Sequence, residues 1–185
     1  MRILQITTTA LIVCLYSSLS AQEIPEPDFS LKPYYLLDGK LIEFEKVELS
    51  MGTKSKGMGY GGVELSYSAD GLKSPTRFVS GTVPKIIVKS EDNSDPSEGF
   101  SVLMGEIKKD RRRFVTGKVA ALVGSNKSNS EKRITISAKK IRDKVFEITF
   151  GQTLQSGEYA IIPNTKNISL ATGSMAIKIN CFGVD

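Results

Sequence analysis

Apolar and polar residues alternate with a period of two along most of this chain. Val63, Leu65 and Tyr67 alternate with Glu64, Ser66 and Ser68. Phe100, Val102 and Met104 form a further apolar stripe, Val119, Ala121 and Val123 another, and Met175, Ile177, Ile179 and Cys181 a last one. Ile86 and Val88 sit between Lys85 and Lys89. Phe146, Ile148 and Phe150 return from a turn at Arg142-Asp143 that follows Ile134 and Ile136. A period of two belongs to extended backbone, where successive side chains leave opposite faces. Asp38-Gly39 between 34–37 and 40–49 predicts a tight hairpin. Asp70-Gly71 closes the strand begun at Val63, and Pro163 ends a short strand begun at Gly157.

Within 40–49, Ile42 and Phe44 share one parity while Val47 and Leu49 fall on the other. That slip predicts either a bulge near Glu45-Lys46 or a bend between two strands. No window of helical period reaches the length of a helix. The strongest rival, 131–145, has the charge for one, but its isoleucines and threonine favour strand. Together these features predict an all-β fold, a β-sandwich of about nine or ten short, mostly antiparallel strands. It is expected to form a single domain over 31–185. The polar stretch 90–99, SEDNSDPSEG, offers an alternative of two small β lobes divided there.

Residues 1–21 predict a signal peptide. Arg2 supplies the positive start, 3–19 carry no charge, and Ser18-Leu19-Ser20-Ala21 supplies small residues for cleavage. The apolar core 10–16 is shorter than the ~20 residues a membrane span needs. Val13 before Cys14 does not suit a lipoprotein signal. The expected location is extracytoplasmic, periplasmic or secreted, with no membrane span after cleavage. Residues 22–30, acidic and punctuated by prolines, predict an extended leader.

Losing Arg2 takes one from the net charge of +5 and leaves +4. So modest an excess, with no aromatic-rich basic motif, does not point to nucleic acid. The chain has no histidine, which excludes the usual serine–histidine and cysteine–histidine nucleophile pairs and removes the commonest zinc and copper ligand. Of its two cysteines, Cys14 leaves with the signal. Cys181 then has no internal disulfide partner, and its parity with Ile177 and Ile179 reads as a small buried hydrophobe. No cofactor and no metal are expected. The acidic loop Glu91-Asp92-Asn93-Ser94-Asp95 lacks the spacing and glycine of a calcium loop and reads as a solvated turn.

Lys108-Lys109-Asp110-Arg111-Arg112-Arg113 is the densest basic run. It reads as a hairpin tip whose charge protects an edge, or as a contact for an acidic polymer or lipid head groups. Lys54-Ser55-Lys56-Gly57-Met58-Gly59-Tyr60-Gly61-Gly62 suggests a phosphate cradle, but the strand-like Val63-Glu64-Leu65 follows where a helix is required. The glycines instead suit a close backbone approach. Tyr60 is then a candidate stacking residue for a partner chain or sugar. Arg77, beside Phe78, is a candidate to pair with an acidic strand residue such as Glu64.

Four short runs carry a resemblance. Met58-Gly59-Tyr60-Gly61-Gly62-Val63-Glu64, Gly71-Leu72-Lys73-Ser74-Pro75-Thr76-Arg77-Phe78, Gly157-Glu158-Tyr159-Ala160 and Cys181-Phe182-Gly183-Val184-Asp185 resemble small uncharacterised exported proteins of Bacteroidetes-type bacteria. The resemblance implies a bacterial extracytoplasmic β-domain and no activity. The expected function is a non-enzymatic module of the cell envelope that binds a partner protein or polysaccharide. Its candidate contact residues are Tyr60, Arg77, Arg111, Arg112 and Arg113. The alternative is a carboxylate-based glycan hydrolase, which needs two carboxyl groups roughly 5–10 Å apart across a cleft. Glu64, Glu106 and Glu147 are the strand residues on which that alternative turns.

Overall fold

The computed structural model describes residues 23–55, 63–119, 126–128, 132–164 and 177–185. The expected signal segment and Tyr60 with its neighbouring glycines lie outside the described residues, as does the side chain of Glu64. The fold is all-β and sandwich-like, built from three antiparallel sheets. Strands are numbered in chain order. The first sheet runs β12 (Ile136–Arg142), β13 (Val145–Phe150), β6 (Ile86–Lys89), β1 (Tyr34–Leu37) and β2 (Lys40–Glu43). The second begins with the first half of β3 (Glu45–Ser55). It continues through β15 (Ile177–Val184), β14 (Gly157–Pro163), β7 (Phe100–Met104) and β11 (Arg133–Ile134). The third begins with the second half of β3 and continues through β4 (Val63–Asp70), β9 (Arg111–Val119) and β10 (Asn126–Ser128). Two short strands lie off these paths. β8 (Glu106–Lys108) pairs with β9, and β5 (Arg77–Phe78) runs parallel to β15.

The parity slip in 40–49 is a change of sheet. β2 ends at Glu43, Phe44 turns into the first core, and β3 opens at Glu45 against β15. Val47 packs in a second core. Of the two expected outcomes, bulge or bend, the chain takes the bend, because a strand that passes from one sheet to the next must present its apolar side chains to a different layer. β3 then passes from β15 to β4 between Leu49 and Ser50, which joins the second and third sheets.

The second sheet has an apolar core on each face. Ile86, Val88 and Ile148 of the first sheet meet Val102, Tyr159, Ile161, Phe182 and Val184 of the second. On the opposite face Leu103, Ala160, Ile162, Ile179 and Cys181 meet Tyr67, Ala69 and Phe114 of the third. Neighbouring residues of one strand, such as Tyr159 and Ala160, thus serve different cores. This explains why β14 is buried almost throughout instead of at alternate positions. Tyr159 stacks on Phe182 with ring centroids 5.2 Å apart, and Phe44, Phe78 and Tyr35 extend the same aromatic cluster.

Turn chemistry closes the hairpins. Asp38 and Gly39 both adopt positive φ, 48° and 74°, as a two-residue hairpin with the right-handed twist of its strands requires. The leader is extended but tied down. Arg142 donates to the Ile24 carbonyl, Lys89 pairs with Glu26, and Pro27 is buried. Residues 90–99 are also anchored. Asn93 bonds to Asp143 and to the Lys144 N–H, and Asp95 caps a short 3-10 turn at Pro96–Glu98. Strands before and after this stretch pair directly, β6 with β13 and β3 with β15.

Candidate functional site

Where the second core ends, the inward stripes of three strands end in charged residues and that of a fourth ends in glycine. β9 carries Arg112 two positions before Phe114, β3 carries Glu45 before Val47, and β14 carries Glu158 before Ala160. β15 reaches Gly183 after Ile179 and Cys181. Each has the parity of the core, so all converge on one point. Arg112 is 1% exposed. Its two terminal nitrogens donate to both Glu45 oxygens, at 2.6 and 2.9 Å, a forked geometry matched to a carboxylate. Nη2 also donates to the Asp70 carbonyl at 3.0 Å and Nε to the Gly71 carbonyl at 3.2 Å. Glu158 Oε2 lies 3.8 Å from Nη1.

The segment from Ser74 to Phe78 closes this site from outside. The Ser74 N–H donates to Glu158 Oε2 at 2.8 Å, and Arg77 Nη1 donates to Glu158 Oε1 at 2.6 Å. Arg77 Nε donates to Asp185 Oδ2 at 2.8 Å, and Nη2 donates to Oδ1. The Thr76 carbonyl accepts from the Gly183 N–H at 2.8 Å. The guanidinium of Arg77 lies against the Gly183 backbone so closely that a Cβ there would stand 2.1 Å from Nη1. Three of the four runs that carry the resemblance, those at 71–78, 157–160 and 181–185, therefore meet here.

The electrostatics follow from burial and pairing. Burial on its own raises the Glu45 carboxyl, but the hydrogen bonds from Arg112 and Ser74 outweigh it and hold the group below the ordinary carboxylate range. Asp185 is likewise held low by Arg77. The Arg77 guanidinium is pushed upward by Asp185 and Glu158. Burial pushes the Cys181 thiol up to about 12, so it stays protonated and unreactive at neutral pH.

The candidate contact residues part company in this structure. Arg77 pairs with Glu158 and Asp185. Arg112 is inside the fold, because its parity on β9 is that of Phe114, and it presents no charge to the surface. The hairpin tip itself is Lys109-Asp110, between β8 and β9, and the three arginines lie in β9 beyond it. Arg111 is exposed beside Asp110 and Asp70, whereas Arg113 donates to Ser66 and neighbours Glu106. Glu45 and Glu158 were not among the expected site residues. Their signal was available, since each shares the parity of an inward apolar stripe.

As an acid–base pair, Glu45 and Glu158 have the proximity but not the setting. Arg112 pairs with Glu45 and approaches Glu158, and both carboxylates are turned into the fold. Glu106 pairs with Lys132 and Arg113, and Glu147 with Lys85. In the acidic loop, Asp92 accepts from the Ser94 N–H and Asp95 caps the 3-10 turn. Among the described residues no group of three acidic or cysteine side chains is placed to hold a metal ion. Among the same residues no helix is long and apolar enough to cross a membrane.

A second feature is open to solvent. The ladder from β13 to β6 stops at Ile148 opposite Ile86, while β12 accompanies β13 on its other side to Phe150. Pro84, two residues before Ile86, has no N–H with which to extend the ladder. The sheet opens there into a groove of about 310 Å3. Phe150 and Leu154 contribute its apolar lining, and Lys85, Glu147, Thr149 and Thr153 its polar lining. Lys85 Nζ lies 3.3 Å from Glu147 Oε2. No family model matches this chain, and neither a curated protein nor a solved structure does.

Proposed function

We propose that this chain is an exported, non-enzymatic β-sandwich of the bacterial cell envelope that serves as an interaction module for an envelope protein or polysaccharide. Export is supported by residues 1–21, with their positive start, uncharged apolar run and small cleavage residues. One observation carries the non-enzymatic part of the reading. Glu45 and Glu158, drawn together inside the fold, are both committed to arginines, and the Glu45 carboxyl, held below the ordinary range, stays ionised at neutral pH and has no proton to deliver. The charge in this region holds strands together, which leaves the outer surface for recognition.

The test uses the exported chain, purified and immobilised, with envelope polysaccharide and envelope protein fractions passed over it. Retention of one fraction, with any retained polymer keeping its chain length, is the expected result. Shortening of the polymer by the wild type that disappears in Glu158→Gln would overturn the non-enzymatic reading. Passage of both fractions unretained would overturn the module itself.

A further inference from the structure

We infer that the groove between Phe150 and Pro84 binds a neutral saccharide unit of an envelope glycan. This rests on the interaction-module reading and commits to one of its two partner classes. The first argument is the chemistry of the walls. Pro84 and Phe150, both half-buried, offer an apolar surface, while Lys85, Glu147, Thr149 and Thr153 offer donors and acceptors. A sugar ring has the same division, with C–H groups on its face and hydroxyls around its edge. Ligand sites generally combine an apolar lining with a few placed polar groups.

Charge is the second argument. Lys85 and Glu147 lie 3.3 Å apart and cancel, so the groove gives no net attraction to a polyanion or a polycation. Each still offers a hydrogen bond to a hydroxyl, one as donor and one as acceptor. The pair is exposed on the lysine side, so a ligand hydroxyl can enter between its members at little cost. The volume, about 310 Å3, is at the small end of the range for ligand sites and suits one or two ring units rather than a long segment.

The third argument separates a glycan from a peptide. A peptide that adds to a sheet edge needs a run of unpaired backbone groups. Here the open edge of β13 is two residues long: Ile148 is still paired with Ile86 and the strand ends at Phe150, which leaves Thr149 and Phe150.

The test is a titration of the exported chain with cellohexaose, maltohexaose and the hexamer of N-acetylglucosamine, followed by backbone amide NMR. Polygalacturonate and an unstructured heptapeptide serve as the charged and peptide probes. At least one neutral hexamer should shift the amides of Thr149, Phe150 and Thr153. Gln152→Ala with Thr153→Ala, both exposed positions in the groove wall, should weaken that binding about tenfold while leaving the rest of the spectrum unchanged. Phe150→Ala also touches the core, so the double variant carries the decision. Shifts confined to another surface would overturn the site. Equal shifts with polygalacturonate or the peptide would overturn the ligand class. Failure of every neutral hexamer, in a chain that still retains an envelope fraction, would overturn this inference and leave the module standing. Failure of both would remove the module as well.

Discussion

Two of the places where this molecule sets an acidic side chain against a basic one have opposite consequences. Around Arg112 the partners are nearly sealed from water, the guanidinium donates to two carbonyls besides Glu45, and Glu158 is held from its other side by Arg77 and Ser74. Beside the groove, Lys85 and Glu147 meet at 3.3 Å at a place open to solvent. The contrast shows what burial does to charge. A buried pair must be complete, because any member left alone keeps its desolvation cost without its partner. An exposed pair is held weakly and can be rearranged by a ligand. The first arrangement is architecture, and the second leaves a surface free to recognise something.

The largest effect that would break this comparison comes from Arg112. Arg112→Met should cost about 3–5 kcal/mol in denaturant unfolding, since it strands the half-buried Glu45 without its cation. A loss no larger than that of a surface substitution would mean the network is not a unit. Gly183→Ala comes next, at about 1–3 kcal/mol. Its methyl group would displace the Arg77 guanidinium from 2.1 Å, and Glu158 would lose one of its partners. A double variant, Gly183→Ala with Arg77→Ala, no less stable than Arg77→Ala alone would identify the clash as the cause.

Acid and alkali should each act with a known sign. Glu45 and Asp185 have carboxyls depressed in the folded state. Their contribution is therefore present above the ordinary carboxylate range, near pH 4, and is lost as pH falls through the lower folded values. Thermal unfolding followed from pH 7 down to pH 2 should show the melting temperature falling most steeply below about pH 4. Glu45→Gln should flatten that fall. Cys181 has the opposite sign, because its acid form is favoured by the fold. Its contribution is complete below the ordinary thiol value of 9.0 and is lost as pH climbs towards about 12. Iodoacetamide should accordingly leave Cys181 unmodified in the native chain at pH 7 and alkylate it fully in denaturant, as read by mass spectrometry. The smallest effect belongs to the groove. Thr153→Ala, at an exposed position, should change stability by less than about 0.5 kcal/mol, so any loss of saccharide binding in it reports on recognition rather than folding.

Strands and turns were legible because their signals are local. Alternation at Phe146, Ile148 and Phe150 and the turn at Asp38-Gly39 depend on neighbours a few residues away, and both stand as read. The slip between Phe44 and Val47 was legible as an event, but its nature was not. A bulge and a change of sheet leave the same pattern in one strand and differ in where the partner strand lies. The arginine run shows the same limit. Three identical neighbours give no local reason to separate them, yet parity with Phe114 buries the middle one and leaves Arg111 in solvent.

The sequence by itself determined that this chain forms strands and where many of them turn. It also determined that these residues offer no histidine chemistry. Tertiary structure alone decided that Ser74, Arg77, Glu158 and Asp185 belong together, because they come from segments more than 80 residues apart in the chain. It likewise decided that one sheet lies between two cores and that β13 outruns its neighbour to open a groove at Pro84. The physical reason is common to all three. Periodicity records which side of a strand a residue faces, whereas the layer on that side is chosen by pairing between distant strands, and that pairing leaves no periodic trace.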